Sequence, residues 1–165
     1  MKVSVIDIGS NTIKLVNYRV RQDNSFTAYQ QESTKVKLGE SFANLSTLTE
    51  ESMTRAIDTL LLYRDIIRLE GIGRVICIGT SAVREAQNGV SFIEQIRRKT
   101  GFRIKVLSGD EEAYCSYVGT SISMIIPNML FFDLGGGSLE LLSAENFNIK
   151  KIKSLALGAL RLSQV

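Results

Sequence analysis

The sequence predicts an α/β protein: one complete lobe with a mixed sheet flanked by helices, followed by the opening strands of a second, related lobe. Three observations carry that prediction. Along residues 1–124, apolar strand-like runs alternate with segments of helical periodicity. Pro127, the single proline, then marks a break, after which the pattern starts over. The restart also repeats the beginning. Asp7-Ile-Gly-Ser-Asn-Thr-Ile-Lys-Leu-Val16 aligns without gaps on Asp133-Leu-Gly-Gly-Gly-Ser-Leu-Glu-Leu-Leu142. Such an internal repeat implies two related lobes facing each other. The first lobe is expected to span 1–124, and an incomplete second lobe 125–165.

Val3 to Ile8 reads as a strand, and Thr12 to Val20 as its hairpin partner across Gly9-Ser10-Asn11. A third strand lies within Phe26 to Lys37 and ends at Leu38-Gly39. Thr49 is a good N-cap, with Glu50 and Glu51 in the first turn behind it. Met53, Ala56, Ile57, Leu60, Leu61 and Ile67 recur at helical spacing until Gly71 stops the helix. Arg74 to Ile78 is a short apolar strand leading into Gly79-Thr80-Ser81. The next helix carries Phe92, Ile93 and Ile96, closes with Arg97-Arg98-Lys99 at its cation-favouring end, and stops at Gly101. Arg103 to Leu107 is another strand, and a helix runs from Gly109 to about Ser123. Each copy of the repeat is followed by a further strand and a Leu-Gly pair, Leu38-Gly39 and Leu157-Gly158.

Composition narrows the chemistry. With 44% hydrophobic and 22% charged residues, the 165-residue chain has the make-up of a soluble globular protein. Its net charge of +3 is mild and its basic residues are scattered, so no nucleic-acid partner is expected. No apolar run reaches the ~18 residues of a membrane span, so no membrane partner is expected either. Histidine is absent, which excludes Ser-His-Asp, Cys-His and His-ligated zinc schemes and leaves carboxylates and backbone amides to do chemistry. Cys77 and Cys115 lie in apolar stretches, and no signal peptide opens the sequence. Both are expected to be buried, reduced thiols of a cytoplasmic protein.

The repeated turn suits a polyanion. Glycine permits positive φ and close approach of a ligand to the main chain. Successive N–H groups can then converge into an anion-binding nest, helped by Ser or Thr hydroxyls. The aspartate at the strand end sets a carboxylate beside the nest, where it can hold a divalent metal or its water. One such turn could be an ordinary hairpin, but two matched copies make coincidence a poor explanation. The candidates are Asp7, Gly9, Ser10, Asn11 and Thr12 in the first copy, and Asp133, Gly135, Gly136, Gly137 and Ser138 in the second.

Three other positions have a functional and an ordinary reading. Glu140 alternates onto the same strand face as Ser138, so it either points into the site or is a solvated strand residue. Asp110, Glu111 and Glu112 open a helix, where acids complement the dipole; alternatively, one of them polarises a water, and spacing does not choose among the three. Arg84 either binds phosphate oxygens or pairs with Glu85 at the surface.

Taken in order, five stretches resemble the Ppx/GppA phosphatase family, a branch of the actin and sugar-kinase superfamily. They are Asp7 to Leu15, Thr80 to Asn88, Leu107 to Ala113, Asp133 to Leu141 and Ser154 to Leu162. The resemblance implies an actin-like (ribonuclease H-like) lobe. It implies an exopolyphosphatase or guanosine pentaphosphate phosphatase that uses Mg2+ or another divalent cation to release terminal phosphate from polyphosphate or guanosine pentaphosphate. It also implies roles: Glu111 as catalytic base, Asp133 and Glu140 acting on metal and water with Asp7 as a further metal candidate, Arg84 on phosphate, and the two turns supplying amides. The complete protein is expected to be a homodimer. Thr12 stands where Ser is common and Lys14 where Arg or His is more usual, changes that spare the chemistry. Family members continue well past this length, so the strands between Met129 and Leu157 are expected to lack cover. Self-association or local disorder after Ser123, with weak or no activity, is the corresponding expectation. A non-catalytic phosphate or nucleotide sensor is the alternative, and a kinase on the same scaffold a further one.

Overall fold

Strands β1 (Lys2–Ile8), β2 (Thr12–Val20) and β3 (Phe26–Lys35) form an antiparallel meander that seeds the first sheet. β4 (Arg74–Gly79) lies parallel to β1, and β5 (Ile104–Val106) parallel to β4, giving the mixed order β3-β2-β1-β4-β5. Parallel neighbours need crossovers. The first is helix α1 (Glu50–Leu69); the second is made by α2 (Ser81–Glu85) and α3 (Gly89–Thr100). The computed structural model describes residues 1–41 and 46–163, and the chain forms two compact units, Met1–Val106 and Leu107–Val165.

Alternation sorts the first sheet. Ile6, Ile8, Ile13, Leu15 and Cys77 join one core with Met53, Ala56, Ile57 and Leu60 of α1 and Phe92 and Ile96 of α3. Thr49 caps α1, its side chain accepting from Ser52 N at 3.2 Å. Farther along α1, the buried Tyr63 hydroxyl donates to Ile13 O at 3.1 Å, tying helix to sheet. Gly101 ends α3 in the left-handed region at φ 82°, a conformation that favours glycine. Helix α2 is absent from the sequence reading because five residues are too few to display a helical period.

The second unit comprises α4 (Gly109–Ser121), a three-stranded antiparallel sheet ordered β6 (Met129–Leu134), β7 (Leu139–Glu145), β8 (Asn148–Leu155), and the short α5 (Ala159–Leu162). Tyr117 of α4 meets Phe131 edge-on at 6.4 Å, above the buried Leu142 and Ala144. Helix α4 thus belongs by packing with the strands that follow it, and the lobe boundary expected at residue 124 falls inside this unit. The opposite sheet face is open: Leu130, Phe132 and Leu134 are 63%, 59% and 56% exposed on the edge strand β6. One expectation is corrected. Cys77 is buried, but Cys115 is exposed, because α4 buries Ala113 and Tyr117 and turns Cys115 outward. Among the described residues no helix is long and apolar enough to cross a membrane.

Candidate active site

The two repeated turns fold alike. Gly9 N–H donates to Thr12 O at 3.1 Å, and Gly135 N–H donates to Ser138 O at 2.9 Å, so each copy closes with the same bond. The glycines serve these turns by small size. Gly9 and Gly135 do not adopt positive φ, contrary to the expectation for them. A Cβ on Gly9 would instead stand 3.0 Å from Thr12 O, and one on Gly135 3.3 Å from Ser138 O.

The carbonyl oxygens reveal where the amides point. In the second turn, Gly135 O accepts from Ala159 N and Gly136 O from Leu160 N, both at 2.9 Å, while Gly137 O accepts from Arg161 Nε at 2.7 Å. All three carbonyls therefore face α5. Among the described residues no peptide bond is cis, and a trans peptide sends its N–H opposite to its C=O. The amides of Gly136, Gly137 and Ser138 consequently share the other side, the arrangement that makes an anion nest. The first turn does the same on a smaller scale. Ser10 O accepts from Gly39 N at 2.8 Å, and Asn11 O accepts from Val36 N and Lys37 N at 2.9 Å, which turns the Asn11 and Thr12 amides away from that segment.

Side chains in the first turn divide between bracing and facing a ligand. Ser10 is 4% exposed and its hydroxyl bonds Ser81 Oγ at 2.8 Å, so it secures the turn to the start of α2. Asn11 Oδ1 is buried with no hydrogen-bond partner among the described residues, leaving an acceptor for a water or other donor beside the outward amides. Asp7 is the penultimate residue of β1, one pair below the Ile8–Ile13 pair that leads into the turn. Burial, with the Asp7 charge adding to it, pushes the Cys77 thiol up to about 12. Arg84, at the end of α2, has its Nη2 3.6 Å from Glu85 Oε1, so the surface pairing is present in this structure.

In the second unit the register assembles a row of three residues. Asp133 stands opposite Glu140, and Glu140 opposite Ser154. Opposed residues share a face of the sheet, so two carboxylates and a hydroxyl line up one pair below the glycine turn. Glu140 is only 1% exposed, and its Oε1 accepts from Ser154 Oγ at 2.8 Å. It is therefore not a solvated strand residue. The N-terminus of α4 packs on the same row: a Cβ on Gly109 would fall 2.3 Å from Ser154 Cβ. Asp110, Glu111 and Glu112 follow directly. Glu111 forms a capping box, its Oε2 accepting from Ser108 N at 2.9 Å while its own N–H donates to Ser108 Oγ at 3.1 Å.

No group of three or more metal-binding side chains occurs among the described residues. The Asp133–Glu140 pair still fits Mg2+, which is commonly held by one or two carboxylates with waters and substrate phosphates completing its octahedron. Sequence reasoning missed three participants: Ser81, Ser154 and Arg161. The Leu157-Gly158 repeat pointed to the segment that carries Arg161, but only the strand register reveals Ser154 as the partner of Glu140.

Comparison with known proteins follows the same residues. The model of the Ppx/GppA phosphatase family matches residues 18–165. Over 96% of its length the chain is 36% identical to a bifunctional 3-dehydroquinate synthase/phosphatase of Fusobacterium nucleatum, covering 25% of that protein. It is 31% identical to a guanosine-5'-triphosphate,3'-diphosphate pyrophosphatase of Vibrio atlanticus over 94% of the chain and 31% of that protein. The crystal structure of an exopolyphosphatase from Cytophaga hutchinsonii superposes with a TM-score of 0.91 at 31% identity, over 99% of this chain and 53% of that one. The chain thus spans about half or less of the length of these relatives.

Proposed function

Because the chain belongs to the Ppx/GppA phosphatase family, we propose that it carries part of a phosphohydrolase site that releases terminal phosphate from linear polyphosphate or guanosine pentaphosphate. One observation carries this reading. The glycine turn of the second unit has three carbonyls held to one side, so that its amides of Gly136, Gly137 and Ser138 are pre-aimed at an anion one pair above the Asp133–Glu140 row.

In this reading, water attacks a terminal phosphoryl group in line. In the second unit the outward amides of the glycine turn bind phosphate oxygens and stabilise charge on the equatorial oxygens; in the first unit the outward amides of its own turn and Arg84 are phosphate-binding candidates. Glu111, whose Oε2 accepts from Ser108 N, accepts the water's proton. Asp7 is a separate metal candidate in the first unit, and Asp133 and Glu140 are the residues that would hold a divalent cation in the second. Bound there, Mg2+ supplies neutralisation of the phosphate charge. The capping role of Glu111 favours one alternative, a site that binds phosphate without cleaving it, since its carboxylate already has a structural task.

A phosphate-release assay with polyphosphate and a panel of nucleotides separates these readings. It is run on this chain and on a full-length relative carrying the matching substitutions. Replacing Glu111 with Gln is expected to lower turnover by about 10²–10⁴-fold, the range for loss of a general base, while polyphosphate binding stays measurable. Unchanged turnover removes Glu111 from the mechanism. Binding without release favours the sensor, and transfer to an acceptor other than water favours a kinase.

A further inference from the structure

We propose that Ser154 is a positioning residue for the Glu140 carboxylate, and that it joins the carboxylate row to the acidic turn of α4; the inference rests on the metal-holding role given above to Asp133 and Glu140. A glutamate side chain has three rotatable bonds, and one buried at 1% exposure gains little from solvent. Its orientation must therefore come from a hydrogen bond. Ser154 Oγ supplies one at 2.8 Å from the neighbouring strand, directly in register. A buried carboxylate without such a donor is costly and reorients to find another.

Ser154 is itself fixed from the other side. Gly109, first residue of α4, approaches so closely that a methyl group there would lie 2.3 Å from Ser154 Cβ and 2.6 Å from its Oγ. No side chain fits between helix and strand. The seryl hydroxyl is thereby pinned between the glycine that opens the Asp110–Glu112 turn and the carboxylate that faces Asp133. Acting through Glu140, Ser154 holds one carboxylate oxygen away so that the other is presented beside Asp133.

The test uses Mn2+ as the probe, with free Mn2+ read by electron paramagnetic resonance in titrations of the unmodified chain and of its Ser154→Ala, Ser154→Thr, Glu140→Gln and Ser154→Ala/Glu140→Gln variants. Ser154→Ala is expected to weaken binding by about 10-fold, the range for an oriented partner of a ligating group. Ser154→Thr, which keeps the donor hydroxyl, is expected to restore affinity to within about threefold. In the Glu140→Gln background, Ser154→Ala should change nothing further, since its effect passes through that carboxylate. A general packing role would weaken binding equally in both backgrounds and would not be rescued by threonine. Either result overturns the proposal, as does an affinity unchanged by Ser154→Ala when Glu140→Gln is impaired. If Glu140→Gln binds Mn2+ as the unmodified chain does, or the unmodified chain binds none, the metal-holding role itself fails and this inference falls with it.

Discussion

Replacing Gly158 with alanine should disable the second glycine turn without touching a residue that would meet phosphate. Gly158 has φ −101°, which any residue adopts, so the constraint is space alone. An added Cβ would lie 2.2 Å from Gly136 O, 2.3 Å from Gly136 C and 2.3 Å from Gly137 N, all backbone atoms that no rotamer change can move. To regain van der Waals contact, the segment must retreat by about 1 Å. The two bonds from Ala159 N and Leu160 N to the turn, both 2.9 Å, run through the displaced backbone. Losing them costs about 1 kcal/mol each, and overpacking adds about 1–3 kcal/mol. The sum approaches the whole stability of so small a unit, which is on the order of 3–9 kcal/mol. Urea unfolding followed by circular dichroism, with hydrogen exchange of the β7 amides, measures the loss. Gly73→Ala is the control, since nothing lies within 4 Å of its Cβ position and its φ is not positive. A Gly158→Ala midpoint and β7 protection equal to those of the control would refute the close-approach argument.

The two cysteines should behave oppositely. Cys115 is expected to react with a maleimide within minutes at pH 8, while Cys77, its thiol held at about 12 by burial and by Asp7, reacts only on unfolding; equal rates by mass spectrometry would contradict this. Because the folded-state value of Cys77 is raised, the unfolded chain loses the thiol proton first. Stability should fall as pH rises from about 9 towards 12, by at most about 1.4 kcal/mol per pH unit, and Cys77→Ser should flatten that slope in urea titrations at successive pH values. Ser10→Ala breaks the buried bond to Ser81 Oγ. It is expected to cost about 1–2 kcal/mol, with Ser81→Ala adding little on top; full additivity in the double variant would show that the two hydroxyls do not act as a pair.

Much of the architecture was legible because its signals are periodic or repeated. Thr49, Gly71 and Gly101 marked helix ends, and the apolar runs Val3 to Ile8 and Thr12 to Val20 marked the first two strands. The gapless repeat anticipated two matching strand-turn-strand units, and the structure closes both with the same backbone bond. What stayed hidden depends on tertiary contact. Five-residue α2 is stabilised by the burial of Ala82 and Val83, not by a pattern visible in its own residues. The place of α4 follows from Tyr117 meeting Phe131 and Gly109 meeting Ser154, contacts between residues distant in sequence. Ser10 had the residue type of a phosphate ligand, yet its partner, Ser81, lies 71 residues away.

The repeat also exposes how one scaffold can carry two different electrostatic tasks. In the first copy the row beneath the turn runs Asp7, Lys14, Ser33 across three strands; in the second it runs Asp133, Glu140, Ser154. The aspartate and the serine are retained at matching positions, and only the central residue differs in sign. A lysine opposite aspartate is a complementary cross-strand pair that a folded sheet tolerates by itself. A glutamate in that place puts two carboxylates side by side, an arrangement that destabilises a sheet unless a proton or a cation is shared between them. Lys14 is exposed, whereas Glu140 is buried and held by its serine. Retaining the unfavourable pair in the copy whose turn presents three outward amides is the combination expected where a cation and a phosphate are to be gripped together.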